Sequence, residues 1–321
     1  MSQLVIGTRG SALALWQSEY VRAALLAEHT DIEISLKIIR TKGDKILDSA
    51  LSKIGDKGLF TKEIERALLE GNVDLAVHSL KDLPTELPDD LSIAAVPSRE
   101  DPADALVARE GLQLEGLAAG AKVMTGSLRR QAQLLYRRSD LLVQDVRGNV
   151  QTRLKKFDAS DAQAIVFARA GLVRLNLTER ITERLEPAEF LPACGQGALA
   201  IEIRAEDERL AKLLEPLDDL NSRAATTAER TFLAELGGGC QVPMGAFARI
   251  DESDRTMSIT GMVANLDGSV LLQDTISSSF ADVDDAIRLG AALAEELLSR
   301  GCQRILDQVL GSSHLEAEPL A

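Results

Sequence analysis

Cysteine is scarce in this chain, which has three among its 321 residues: Cys194, Cys240 and Cys302. An odd number without a C-x-x-C spacing excludes a disulfide framework and argues against a zinc knuckle. We therefore expect no structural disulfide, no metal site and a reducing compartment, the cytoplasm.

Long apolar runs and an excess of positive charge are also missing. No apolar stretch approaches the roughly 20 residues that a membrane-spanning helix needs. The first residues, MSQLVIGTRGSALALW, lack the basic start of a secretory signal. The formal net charge is -14, so the surface as a whole repels nucleic acid and anionic membranes. We expect neither nucleic acid nor membrane as a partner.

Aromatic residues make up only 3% of the chain, but 45% of all residues are hydrophobic, which is enough for two or three compact domains. Strand-like runs alternate with helical spacing from Leu4–Gly7 to Leu199–Ile203 and predict α/β layers with largely parallel sheets. The charged, proline-bearing stretch Ser98–Pro102 predicts a hinge. In the last part, three strand-like runs precede one amphipathic helix, Ala286–Ser299, and a polar tail from His314, which is typical of an α+β domain.

Positive charge is concentrated in the segment 122–156, where only Asp140 and Asp145 oppose it. Its basic residues are Lys122, Arg129, Arg130, Arg137, Arg138, Arg147, Arg153, Lys155 and Lys156. Because arginine presents a planar fork of donors that fits carboxylates and phosphates, the segment favours a polyanionic ligand. Thr125-Gly126-Ser127, between a predicted strand and helix, would add backbone N–H groups.

The alternative for these arginines is a solvated helix face with ion pairs. We favour it for Arg137 and Arg138. Residues at strand-to-helix junctions are better placed to meet a ligand, because ligands of open α/β sheets bind at the carboxyl ends of strands. By the same reasoning Arg9 and Ser11, at the first such junction, form a second candidate anion site.

Two further segments carry reactive side chains. His78 and Asp82 lie where an apolar strand runs into Pro84, and each has a structural alternative: a satisfied core histidine and a turn carboxylate. Cys240 follows three glycines on a predicted tight loop. It is either a small buried hydrophobe or a point of covalent attachment that the glycines leave accessible.

Seven motifs in order resemble the porphobilinogen deaminase (hydroxymethylbilane synthase) family over nearly the whole chain. They are TRGSALALWQ at 8–17, KGLFTKE at 57–63, AVHSLKDLP at 76–84, TGSLRRQ at 125–131, VRGNVQTRL at 146–154, LPACGQGA at 191–198 and GGGCQVP at 237–243. Cys194 departs from the pattern, because a non-thiol residue is expected there, and it adds a second thiol near the cleft.

The resemblance implies two α/β lobes like those of periplasmic binding proteins and a C-terminal α+β domain. The lobes would comprise residues 1–98, completed by 197–216, and 99–196, and the third domain 217–321. It also implies a dipyrromethane cofactor joined to Cys240 as a thioether. Four porphobilinogen units would add to this primer with loss of ammonia, and water would release hydroxymethylbilane, a precursor in haem and chlorophyll biosynthesis.

Asp82 would, by the same resemblance, stabilise the cationic azafulvene that forms when ammonia leaves. The other cofactor or substrate contacts would be Arg9, Ser11, Lys53, Lys57, Ser79, Lys81, Thr125, Ser127, Arg129, Arg130, Arg147, Arg153 and Gln196. A monomer is expected from the resemblance alone.

Two other classes of function fit part of the sequence. A two-lobed solute-binding module without catalysis would use the arginines and the hinge, but it gives Cys240 no purpose. An effector-sensing regulator would need a DNA-binding domain, for which neither terminus provides a segment. The intact mass under denaturing conditions separates these classes, because only the deaminase carries two linked pyrroles.

Overall fold

The computed structural model describes residues 2–45, 61–238 and 242–315. Within these ranges the strands are β1 (Ser2–Thr8), β2 (Ile32–Ile38), β3 (Leu75–Ser79), β4 (Leu91–Ala95), β5 (Asp104–Ala108), β6 (Lys122–Met124), β7 (Leu142–Gln144), β8 (Ala164–Ala168), β9 (Glu183–Leu185), β10 (Leu199–Arg204), β11 (Met244–Asp251), β12 (Thr256–Ala264) and β13 (Leu271–Ser279). The α-helices are α1 (Ala12–Glu28), α2 (Lys42–Lys45), α3 (Lys62–Leu69), α4 (Leu128–Arg137), α5 (Val150–Asp158), α6 (Arg169–Arg174), α7 (Glu208–Leu214), α8 (Leu220–Glu235), α9 (Val283–Ser299) and α10 (Cys302–Leu315).

Two five-stranded sheets form the two lobes, in the orders β2-β1-β3-β10-β4 and β7-β6-β8-β5-β9. A three-stranded meander, β11-β12-β13, packs against α8 and α9 in the C-terminal part. The predicted class, two α/β lobes plus a C-terminal α+β domain, is confirmed.

The prediction of largely parallel sheets is confirmed for the described strands, because four of the five strands in each lobe run in one direction and a single strand runs the other way. In the first sheet β1 is parallel to β2 and β3, whereas β10 is antiparallel to β3 and β4. In the second, β6 is parallel to β7 and β8, whereas β5 is antiparallel to β8 and β9. β10 and β5 arrive from the other lobe and so begin at the edge where their neighbours end, which makes them antiparallel.

Several helices begin at a residue whose side chain caps the first turn. The Ser11 hydroxyl accepts a hydrogen bond from Ala14 N at the start of α1, and Ser127 does the same for Arg130 N at the start of α4. Asp219 caps α8 through Ser222 N. A side-chain oxygen at this position satisfies a backbone donor that the helix itself leaves without a partner.

The C-terminal part contains a helix that periodicity did not predict. α10 begins after Gly301, whose positive φ of 88° turns the chain out of α9. Cys302, Ile305, Leu306 and Val309 recur at helical spacing and are buried in the C-terminal core. The expected polar tail does not begin at His314, since the helix includes this residue and Leu315.

Two chain segments cross between the lobes, around residues 97–103 and 191–198. Gly197 lies in the second, with a φ of 88°, and a side chain there would collide with the carbonyl of Glu100 in the first. Glycine is required on both counts, because the φ is left-handed and the two crossovers touch.

The domain boundaries themselves stay a prediction. No helix in the described part of the chain is long and apolar enough to span a membrane.

A buried carboxylate ties the C-terminal domain to both crossovers. Glu229 on α8 binds Arg99 through two hydrogen bonds of 2.8 and 2.9 Å. It also accepts hydrogen bonds from Gly195 N and Ala248 N. These four hydrogen bonds come from the first crossover, the second crossover and the C-terminal sheet, so one side chain joins three parts of the fold.

Removing this charge is expected to destabilise the protein. Glu229→Gln leaves the buried Arg99 guanidinium without its counter-charge, and breaking a buried pair in this way costs about 3 to 5 kcal/mol. Urea unfolding followed by circular dichroism measures the loss. Arg288→Gln, which breaks the exposed pair with Asp285, serves as the control and should leave the unfolding midpoint where it is.

Candidate functional site

In the first lobe, candidate residues collect where β1 and β3 end. A cavity there is lined by residues that include Arg9, Ser11, Gln17, Ser79 and Asp82. The Gln17 amide donates to the Ser79 hydroxyl over 2.8 Å, which fixes the side chain that follows β3. The Ser11 oxygen is used as a helix cap, but its O–H is still a donor that can meet an anion.

In the second lobe, the Thr125-Gly126-Ser127 turn joins β6 to α4. The Thr125 hydroxyl accepts from Ser127 N, and Ser127 caps the helix. A side chain at Gly126 would come within 2.7 Å of the Val146 carbonyl, so only glycine lets the two junction loops pack together. The helix start therefore lies next to the loop that carries Arg147.

Arg129 and Arg130 are buried and share one carboxylate that the sequence analysis did not identify. Arg129 Nη1 and Arg130 Nη2 each lie 2.7 Å from a different oxygen of Asp104, the first residue of β5. Burial alone would raise the pKa of Asp104, but the two arginines outweigh it and hold this pKa well below its usual range. The Nε atoms of both arginines are buried and have no hydrogen-bond partner among the described residues.

Gln196 joins this pair of arginines to the first lobe. Its Nε2 donates to Asp104 Oδ1 at 2.8 Å and to the Pro102 carbonyl at 2.7 Å. Its Oε1 accepts from Lys81 Nζ at 3.1 Å and from Arg130 Nη2 at 3.5 Å. The side chain is fully buried, so the amide is a fixed bridge across the lobes.

Arg153, which follows the strand-to-helix junction after β7 in the second lobe, interacts with Asp82 of the first lobe. Arg153 donates from Nε to the Gly148 carbonyl at 2.7 Å and lies over the Phe167 ring. Burial, with Arg130 adding to it, lowers the pKa of Arg153 to about 10, and Asp82 opposes this fall. Asp82 also stabilises the charge of Lys81. The exposed Asp82 carboxylate thus lies between cations of both lobes.

The positive charge exceeds what these carboxylates neutralise. Among the described residues of this cluster, the cations Lys81, Arg129, Arg130 and Arg153 interact with the carboxylates Asp82 and Asp104. Arg147 is nearby, paired with Asp145 over 3.2 Å at a half-exposed position. The arrangement suits a ligand with several carboxylates, because each would replace water around a cation that is already partly desolvated.

The remaining candidates, Lys53, Lys57 and Cys240, lie outside the described residues. The residues on either side of the Cys240 loop are described. Val242 is buried in the C-terminal core, and β11 starts two residues later. A side chain at Gly245 in β11 would lie 3.1 Å from Arg129 Cδ, so the strand after Cys240 packs against the arginine pair.

Several structural alternatives are confirmed. Arg137 pairs with Glu189 and Arg138 with Asp140 at the surface, as expected for a solvated face. His78 is a satisfied core histidine, buried and 3.0 Å from Glu202.

The second thiol, Cys194, is less reactive than the sequence suggested. Only 6% of it is exposed, and burial, with Glu229 adding to it, raises the pKa of its thiol to about 12. Because the thiolate is the reactive form, Cys194 is protected from oxidation and labelling.

Sequence reasoning missed Asp104 and Arg174. Arg174 in α6 is buried, donates to the Gly197 carbonyl over 2.6 Å and lies over the Trp16 ring of the first lobe. One signal was available for Asp104: it is a charged residue at the head of the apolar run DALVA. A carboxylate buried at a strand start needs cationic partners, and the nearby arginines supply them.

Comparisons with known proteins identify the family. A model described as "Porphobilinogen deaminase, dipyromethane cofactor binding domain" matches residues 4–212, and one described as "Porphobilinogen deaminase, C-terminal domain" matches residues 224–299. The porphobilinogen deaminase of Syntrophotalea carbinolica is 51% identical over 305 residues, which cover 95% of each chain. That of Chromobacterium violaceum is 51% identical over 310 residues, covering 97% of this chain and 99% of the relative.

Among solved structures, the chain resembles the probable amino-acid ABC transporter extracellular-binding protein ytmK of Bacillus subtilis. The TM-score is 0.41 at 11% identity, over 67% of this chain and 91% of that one. A Salmonella typhimurium periplasmic binding protein with high arginine specificity gives 0.40 at 14%, over 68% and 92%. The two family models and the full-length relatives carry the assignment: this chain belongs to the porphobilinogen deaminase family.

Proposed function

We propose that this chain condenses four porphobilinogen molecules head to tail onto a dipyrromethane primer held by Cys240, and then releases hydroxymethylbilane by hydrolysis. Family membership makes it a transferase of tetrapyrrole biosynthesis with a dipyrromethane cofactor. The observation that carries the proposal for the site is the cluster of buried cations between the lobes, which fits a chain of pyrroles with carboxylate side chains.

The residues present fit the cofactor. A dipyrromethane carries acetate and propionate groups. The Nε atoms of Arg129 and Arg130, which have no partner in the described part of the chain, leave donor capacity on these cations unused. Lys81, Arg129, Arg130 and the Ser127 hydroxyl would hold its carboxylates. When bound, the group supplies the pyrrole carbon to which the first substrate unit adds.

Cys240 is the proposed attachment point. The strand that follows it in the chain, β11, packs against Arg129 through Gly245. Of the other two cysteines, Cys194 is buried beside Glu229 and Cys302 is fully buried in the C-terminal core. Burial raises the pKa of both thiols, which makes them poor nucleophiles.

Asp82 is the proposed catalytic residue. Loss of ammonia from porphobilinogen leaves a cation, and a carboxylate beside it lowers the barrier because it stabilises charge where that charge develops. Lys81 and Arg153 attract the Asp82 carboxylate and so help to orient it.

The intact mass of the purified protein tests the proposal. Under denaturing conditions we expect a mass excess of two linked pyrroles that proteolysis assigns to the peptide containing Cys240, together with consumption of porphobilinogen. An unmodified mass after expression in cells that make porphobilinogen, with no turnover, would contradict it.

The arginines are expected to act at different stages of elongation. Replacing Arg129 or Arg130 by leucine should reduce cofactor loading, because each loss removes a buried cation beside the primer. Replacing Arg147 or Arg153 by leucine should give a loaded enzyme that stalls with added pyrroles. An anion left unpaired in this way commonly costs about 2 to 5 kcal/mol, so the stall should be visible as a ladder of covalent masses.

Arg137→Leu is the matched control for this series, since Arg137 lies on α4 but pairs only with surface carboxylates in the described part of the chain. It should load and elongate like the parent. Identical loading and identical mass ladders in all four site variants would mean that these arginines bind neither the cofactor nor the growing chain.

We also propose a cytoplasmic monomer, with domains at 1–98 plus 197–216, 99–196 and 217–321. The sheets support this division, because β10 pairs with β3 and β4 of the first lobe. Light scattering coupled to gel filtration measures the mass of the particle, and a dimer mass would remove the monomer from the proposal.

A further inference from the structure

The orientation of the Gln196 amide is decided by its partners. The Pro102 carbonyl and the Asp104 carboxylate can only accept hydrogen bonds, and they lie 2.7 and 2.8 Å from Nε2. The amide nitrogen must therefore face them, which turns the oxygen toward Lys81 Nζ and Arg130. If the amide were reversed, its N–H groups would point at two cations.

We propose that Asp104 is a positioning residue of the active site: it orients Gln196 and, through it, fixes Lys81 and Arg130 as a joint site for a pyrrole carboxylate. The inference rests on the proposed function for the nature of that ligand. Asp104 itself is fully buried at the start of β5 and acts through its neighbours rather than on the substrate.

Asp104 is suited to this role because each of its oxygens has a separate task. Oδ2 binds Arg129 alone among the side chains described there, whereas Oδ1 binds both Arg130 and Gln196. Two arginines adjacent in sequence would repel one another when buried, and the shared carboxylate holds them together. Oδ1 thus connects the arginine pair to the Gln196 amide, which reaches the first lobe.

The pKa of Lys81 depends on this arrangement. Burial, with Arg130 adding to it, lowers the pKa of Lys81 to about 8, and Arg129 contributes in the same direction. Asp82 and Asp104 oppose these effects. Removing the charge of Asp104 therefore lowers the pKa of Lys81 further. If the Gln196 oxygen also turns away, the Lys81 ammonium loses a hydrogen-bond acceptor.

The test is the titration of Lys81 in the holoenzyme. Protein with ¹³C-labelled lysine is followed by NMR as a function of pH, and the Lys81 signal is assigned with Lys81→Arg. We expect Asp104→Asn to lower the midpoint of Lys81 by about one pH unit, as loss of a nearby opposite charge does. Asp104→Glu, which retains the charge, should restore most of the shift. Cofactor loading, measured by intact mass, should fall in Asp104→Asn.

A second variant covers the case in which Asp104→Asn does not fold. Gln196→Met is similar in shape and leaves the Asp104–arginine pairs intact, and it should also lower the Lys81 midpoint and reduce loading. If the folded variants titrate Lys81 and load cofactor like the parent, Asp104 has no positioning role. A parent protein without the dipyrromethane mass would instead contradict the proposed function, so the two failures are distinguishable.

Discussion

Replacing Cys240 by serine is expected to abolish tetrapyrrole synthesis. A hydroxyl at neutral pH is a much weaker nucleophile than a thiol and cannot form the thioether, so no primer would be attached. The variant should fold, because the substitution only exchanges one sulfur atom for oxygen. Its intact mass should lack two pyrrole units, and porphobilinogen consumption should fall to background.

The other two cysteines provide matched controls. Cys194→Ser and Cys302→Ser change buried thiols that have raised pKa values, so both variants should carry the full cofactor mass and remain active. A covalent pyrrole adduct with normal turnover in Cys240→Ser would place the attachment elsewhere.

Asp82→Asn is expected to slow turnover by roughly 100- to 1000-fold, the usual loss when one preorganised electrostatic contact to a transition state is removed. The substitution preserves size and removes the negative charge that offsets the cation formed as ammonia leaves. Folding should persist, because the side chain is exposed at the cleft rather than in the core. Single-turnover rates on protein with confirmed cofactor measure the effect.

Asp140→Asn is the control for the loss of a carboxylate, since Asp140 binds only Arg138 at the surface among the side chains described there. Its turnover should match the parent. If Asp82→Asn with bound cofactor turned over at the parent rate, Asp82 would have no part in the mechanism.

Local signals in the sequence were sufficient for most elements. Ser11 and Ser127 start helices because a hydroxyl there satisfies a free N–H, and Gly71, with a φ of 68°, follows α3. β5 was missed because its run DALVA is too short to distinguish a strand from a loop. α10 was missed because its four core positions are spread over a segment of low overall hydrophobicity.

For the site, junction position predicted that Arg9, Ser11 and the Thr125-Gly126-Ser127 turn would face an anionic ligand, because strand ends converge on the cleft of a two-lobed α/β fold. Ser79 and Gln196 were expected only from the family resemblance. Sequence reasoning could not find the partners of Asp104, because they lie 25, 26 and 92 positions away. The close approach of these groups exists only after two strands have crossed between the lobes.

The sequence by itself determined the element types, the concentration of arginine and the motifs that identify the family, since each of these depends on residues near one another in the chain. The tertiary structure alone decided which cations are buried, which carboxylate holds them and which way the Gln196 amide points. Burial and ion pairing are properties of the space around a side chain. That space is built here by residues such as Asp104 and Glu229 from distant parts of the chain.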